Sequence, residues 1–113
     1  SSSSRGLGDV YKRQIEESGI IAPIVGHVGD GNFHTLPIAL PDDVEAWTRI
    51  QSFVERLSER AIAMDGTCTG EHGIGQGKIK YLRQEMGSAV DMMIAVKQAL
   101  DPNNILNPGK LFN

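Results

Sequence analysis

A single cysteine, Cys68, excludes an internal disulfide and a multi-cysteine zinc finger. Aromatic residues make up 5% of the 113 residues, so aliphatic side chains have to supply most of a small core. No apolar run approaches the roughly 18 residues of a membrane span, which argues against a transmembrane segment. Lys and Arg number 11 against 14 Asp and Glu, giving a formal net charge of −3. That balance lacks the basic excess that grips a phosphate backbone, so nucleic acid is not an expected partner. No methionine opens the chain, and at this length it holds one domain at most.

What the chain does have is glycine, 13 of them, and 3 histidines that cluster with it. Most glycines fall in two windows, Gly26 to Gly31 and Gly66 to Gly77, and every histidine lies in or beside one of these. Folding alone does not require that coincidence, whereas an active site would. Residues 1–14, SSSSRGLGDVYKRQ, are polar, open on four serines and show no helical or strand period. They read as a disordered or non-native tail, too short and polar for a signal peptide. Residues 15–113 form the expected folded part, a C-terminal piece of a larger protein.

Ile20 to Val28 is apolar and β-branched, which predicts a strand with Pro23 near its start or on an edge. FHTLPIAL supplies a second strand, and Asp30-Gly31 between them predicts a two-residue hairpin turn. Asp42 with Glu45 resembles a capping box opening a helix to about Met64. Its expected inner face is Trp47, Ile50, Val54, Leu57, Ala61 and Met64. GTCTGEHGIGQGK holds too many glycines for a regular element and reads as a loop. A short helix from Ile79 to Met86 follows, then one from Ser88, capped with Asp91, to Leu100. The predicted class is α+β, hairpin strands with packed helices.

A two-residue turn at Asp30-Gly31 would pair His27 with His34 on one face, their Cβ atoms about 4.5–5.5 Å apart. Two imidazoles so placed can reach one metal ion; equally, they can be ordinary polar residues on a wet sheet face. The third histidine follows a carboxylate in Gly70-Glu71-His72-Gly73. Two histidines and a glutamate with one open position is a ligand set of catalytic zinc sites. Glu71 could complete such a set, while His72 points elsewhere as a base. The loop is not a phosphate-binding Walker loop, because His72 and Ile79 stand where glycine and Ser or Thr are needed. Cys68 reads as a small space-filler, and Lys78 as a solvated loop lysine or a partner for an anionic substrate.

Taken together, GHVGDGNFH (Gly26 to His34), GTCTGEHGIGQGK (Gly66 to Lys78) and DPNNILNPGKLF (Asp101 to Phe112) resemble the C-terminal region of FAD-linked oxidases. These belong to the vanillyl-alcohol-oxidase-type flavoprotein superfamily; the likeness is greatest to its cytochrome-type D-lactate dehydrogenases and glycolate oxidase flavin subunits. The resemblance implies part of a cap domain plus C-terminal helices of a two-domain flavoprotein. It implies oxidation of a D-2-hydroxy acid to a 2-oxo acid. FAD, held mainly by a missing N-terminal domain, would take the hydride. Electrons would pass to a cytochrome, a quinone or an electron-transfer flavoprotein. Carried over by motif, His27, His34 and Glu71 would bind a divalent metal, zinc in the first instance. His72 would be the catalytic base, and Asn107 in the NPGK segment a cofactor contact.

Leu36 stands where the hydroxyglutarate enzymes of the family carry a substrate-binding asparagine, which leans toward lactate or glycolate. The fragment alone is expected to be inactive. Its alternatives are a non-catalytic metal-binding or subunit-interaction module and a free-standing metallohydrolase. The compartment is open: cytoplasmic for a bacterial source, mitochondrial for a eukaryotic one.

Overall fold

A computed structural model describes residues 11–112 of the chain. The first helix, α1, covers residues 11–18. Residues 1–10 of the segment set apart above lie outside the described residues; residues 11–14 are helical. Tyr11 is only 4% exposed, and its ring centroid lies 4.5 Å from that of Phe33. The boundary drawn at residue 14 therefore cuts through a helix whose tyrosine is packed into the fold.

Strands β1 (Ile24–His27) and β2 (Asn32–Thr35) form an antiparallel hairpin, extended by one bridge between Ile21 and Ile38. The strand predicted from Ile20 is shorter because Pro23 has no N–H to give the ladder; its carbonyl accepts from the Leu36 N–H at 2.9 Å. The connection also differs from the expected two-residue turn. Val28–Asp30 form a 3-10 turn and Gly31 follows at φ +74°. A tight type I′ turn needs positive φ at both central residues, and only Gly31 of the Asp30-Gly31 pair adopts it. The register accordingly slips by two: His34 opposes Val25 and His27 opposes Asn32. His27 and His34 are not directly paired. A slip of two leaves every side chain on its original face, so the two histidines still share one. Gly26, at φ +138°, faces Phe33 so closely that a Cβ would lie 2.7 Å from the Phe33 Cα. Only glycine fits there.

Helix α2 runs Val44–Ala63. Its N-cap is Asp43, one residue beyond the expected Asp42; the Asp43 carboxylate accepts from the Ala46 N–H at 3.0 Å. Composition could not choose between adjacent aspartates, whereas the non-helical backbone of Asp43 does. At the other end Gly66 N–H donates to Ala61 O and Asp65 N–H to Ile62 O, a Schellman closure with Asp65 at φ +60°. The buried face holds Ile50, Phe53, Ser58 and Ala61, with Phe53 wholly inaccessible. It is rotated from the expected one, leaving Trp47 and Val54 exposed. The Trp47 indole instead donates to the Leu40 carbonyl at 2.8 Å, holding the ring across the helix entrance.

Helices α3 (Ile79–Met86) and α4 (Ala89–Leu100) follow as the apolar spacing predicts. Ser88 precedes α4 but makes no side-chain cap bond; its backbone is already helical, and Asp91 pairs with Arg83 at 2.9 Å. Ile74, Leu82 and Val90 form a core against which Cys68, Ile79, Ile94 and Phe112 pack. Leu100, on the expected spine of α4, is exposed. Asp101 ends α4 as a buried carboxylate that pairs with Lys97 and accepts from the Ile105 and Leu106 N–H groups at 3.0 and 2.9 Å. The tail returns to the glycine-rich loop, where Leu111 N–H donates to Gly75 O at 2.8 Å. The described residues thus form an α+β fold, four helices with one hairpin.

Candidate active site

The Schellman closure of α2 delivers the chain into residues 66–78, which contain no regular helix or strand. Within them His72 N–H donates to Thr69 O at 3.2 Å, a tight turn that displays Glu71 and His72. Gly70, at φ +51°, lies against the hairpin: a Cβ there would sit 2.7 Å from Asn32 Oδ1. The glycine therefore lets the turn approach β2, where His34 stands.

The result is a three-residue cluster. His34 Nε2 lies 3.0 Å from Glu71 Oε1, and His72 Nε2 lies 3.7 Å from the same oxygen. The two imidazole rings meet edge-on with centroids 4.8 Å apart. One ligand atom from each of His34, Glu71 and His72 falls within 4.8 Å of the others. His34 is partly covered and His72 is two-thirds exposed. Both line an open cleft of about 860 Å³ between the hairpin, α2 and the glycine-rich loop. Phe33, Leu57, Thr69 and Lys78 also contribute to its walls.

Of the residues singled out in the sequence, the structure brings together His34, Glu71 and His72. His27 is exposed, on the same hairpin face, and is not in that group of ligand atoms. The reason is the slipped register, which puts Asn32 rather than His34 opposite it. Two imidazole nitrogens and a carboxylate oxygen are a donor set suited to a divalent transition metal, and their spacing fits one ion. Asn107 is exposed at φ +46° in a turn where its carbonyl accepts from Lys110 N–H.

Cys68 fills space beside the Ile74–Leu82–Val90 core, as its residue type predicts. Burial, reinforced by the neighbouring Glu85 carboxylate, pushes its thiol pKa up and keeps it protonated. Lys78 is not a solvated lysine: its ammonium donates to the Cys68 carbonyl at 2.7 Å. Thr69 belongs to no ligand or catalytic pattern in the sequence, yet its hydroxyl is buried at the cleft without a partner among the described residues. Its position two residues ahead of Glu71 was the available signal.

Residues 6–111 match the family of FAD linked oxidases, C-terminal domain. The match begins inside the segment set apart at the N-terminus. A probable mitochondrial D-lactate dehydrogenase of Danio rerio is 54% identical over 102 residues, covering 89% of this chain and 20% of that protein. The mitochondrial D-lactate dehydrogenase [cytochrome] of Arabidopsis thaliana is 44% identical over 102 residues, 89% of this chain and 18% of the relative. The glycolate oxidase subunit GlcD of Bacillus subtilis is 45% identical over 91 residues, 77% of this chain and 19% of the relative. The chain spans about a fifth of the length of these curated relatives. With nearly its whole length matched, the chain belongs to the FAD-linked oxidase family, as part of its C-terminal domain.

Proposed function

We propose that this chain is the part of an FAD-dependent dehydrogenase at which a D-2-hydroxy acid, D-lactate or glycolate, gives up its hydroxyl proton on becoming a 2-oxo acid. The observation that carries the reading is the His34–Glu71–His72 cluster at the mouth of the cleft, in a chain of this family. His72 is the base. It is the most exposed of the three and lines the cleft, where a bound hydroxyl could meet it. His34 and Glu71, with His27 from the same hairpin face, are the metal donors, zinc being the ion their chemistry suits. Such an ion, when bound, lowers the pKa of a coordinated hydroxyl. FAD, held by the rest of the enzyme, would supply the hydride acceptor, and the exposed Asn107 amide would be a contact for it.

A second assignment makes His72 the third metal donor in place of His27, favoured by the oxygen that His34 and His72 share. Metal content separates the two. With His72 as base, His72→Asn in the flavin-loaded enzyme loses turnover of D-lactate and keeps its metal. Loss of metal from that variant, with His27→Ala unaffected, would reverse the assignment. Full turnover after His72→Asn would end both.

Relatives named as cytochrome enzymes support a cytochrome as electron acceptor, with a quinone or an electron-transfer flavoprotein serving the same role. The mitochondrial names of the eukaryotic relatives support that compartment for a eukaryotic source. No described helix is long and apolar enough to cross a membrane.

A further inference from the structure

The glycine-rich loop is gripped at one residue, on both its backbone N–H and its backbone carbonyl. Cys68 N–H donates to the Glu85 carboxylate at 3.3 Å, and Cys68 C=O accepts from the Lys78 ammonium at 2.7 Å. Both arms come from α3: Lys78 is its N-cap and Glu85 lies in its last turn. Seven residues apart on a helix, they stand two turns apart on one face, about 10 Å along the axis. Opposite charges at that separation suit the two opposed ends of a residue's backbone.

Helix stability does not account for them. A helix favours acidic groups at its N-terminus and basic groups at its C-terminus. Lys78 and Glu85 are the reverse, so each charge stands at the end of α3 where the dipole disfavours it. Local rules broken in this way need a gain elsewhere. Here the gain is two charge-assisted hydrogen bonds on the residue before Thr69, whose carbonyl closes the turn that presents Glu71 and His72. Three glycines of the loop, Gly70, Gly73 and Gly75, stand at positive φ, so the loop has little stiffness of its own.

We propose that Lys78 and Glu85 are positioning residues, a clamp from α3 onto Cys68 that fixes where Glu71 and His72 stand relative to His34. This rests on the assignment of His72 as base. The clamp acts through the Cys68–His72 backbone. A displacement of about 1 Å at a reacting group can lower a rate by about a hundredfold.

The test uses the flavin-loaded enzyme carrying this chain, with D-lactate and an artificial electron acceptor. Lys78→Met keeps the side-chain stem and removes the ammonium. The expected result is a kcat lowered at least about tenfold, with KM within about threefold and flavin content unchanged. Lys78→Arg, which restores a donor, should recover at least about half of the lost turnover. Unchanged kcat in Lys78→Met overturns the clamp, as does a loss that tracks flavin loss and is not relieved by arginine. Should Lys78→Met fail to fold, Glu85→Ala faces the same criteria from the other arm. His72→Asn run in parallel keeps the two ideas apart. Retained turnover there removes the base assignment, whereas its loss beside an unaffected Lys78→Met removes only the clamp.

Discussion

His34 on β2 and Glu71 in the glycine-rich loop stand 37 residues apart in sequence and 3.0 Å apart in space, Nε2 to Oε1. With Nε2 protonated, the imidazole donates to the carboxylate. In the metal site proposed above, both atoms would serve as donors to the ion instead. His34→Ala and Glu71→Ala are each expected to weaken zinc binding by at least about tenfold. Equilibrium dialysis checks this, and unaltered affinity in either variant removes that residue from the site.

His72→Asn keeps the size and a hydrogen-bonding amide but cannot take a proton. In the flavin-loaded enzyme its turnover of D-lactate should fall by about 10²–10⁴-fold. Stopped-flow reduction of the flavin measures this step directly, free of the later transfer to an acceptor.

Phe53 is wholly buried on α2. Phe53→Ala is expected to destabilise the fold by about 3–5 kcal/mol through lost burial and the cavity left behind. Urea unfolding followed by circular dichroism reads this out; a change under about 1 kcal/mol would mean the site refills.

Gly26→Ala should be more disruptive than its single methyl suggests. The new Cβ would press on Phe33 Cα at 2.7 Å and Asn32 O at 2.9 Å, both backbone atoms of β2 that cannot rotate away. The hairpin should separate or slip, carrying His34 away from Glu71. Loss of zinc affinity together with a lower melting temperature would show it, whereas wild-type values for both would refute it.

Asp101 sets an acid limit. The Lys97 ammonium, with the Ile105 and Leu106 N–H groups, holds its carboxyl below the ordinary aspartate value, against the opposing effect of burial. In the unfolded chain Asp101 takes up a proton near pH 3.9, while the folded chain holds off until lower pH. Its stabilisation is thus present above that value and lost as pH falls through the folded pKa. Asp101→Asn should lower the melting temperature at pH 7 and flatten its fall below about pH 4. A parallel decline in both proteins would count against this.

The elements were legible where short-range physics decides them. The apolar spacing of Ile79–Met86 and Ala89–Leu100, the Asp65-Gly66 stop and the irregular glycine-rich loop all stand as read. The α2 face was harder to assign, because Phe53 and Val54 are adjacent and only packing shows which is buried. Glu71, His72 and His34 were visible as chemistry from residue type and glycine context. Residue type offered Glu71 as a partner for the hairpin histidines, but the 3.0 Å contact with His34 and the approach of His72 to the same oxygen are tertiary, since nothing local relates residue 34 to residue 71.

By itself the sequence determined the α+β class, the two glycine-rich windows and the resemblance to FAD-linked oxidases, because turn chemistry, periodicity and motif order are local properties. Tertiary structure alone decided the hairpin register, and with it which histidine meets Glu71. Asp30 declines the left-handed backbone that a two-residue turn demands, so the turn lengthens, His27 moves opposite Asn32, and His34 faces the loop held by α3. A register is an agreement between two strands and the surface they pack on, and one strand's residues do not contain it.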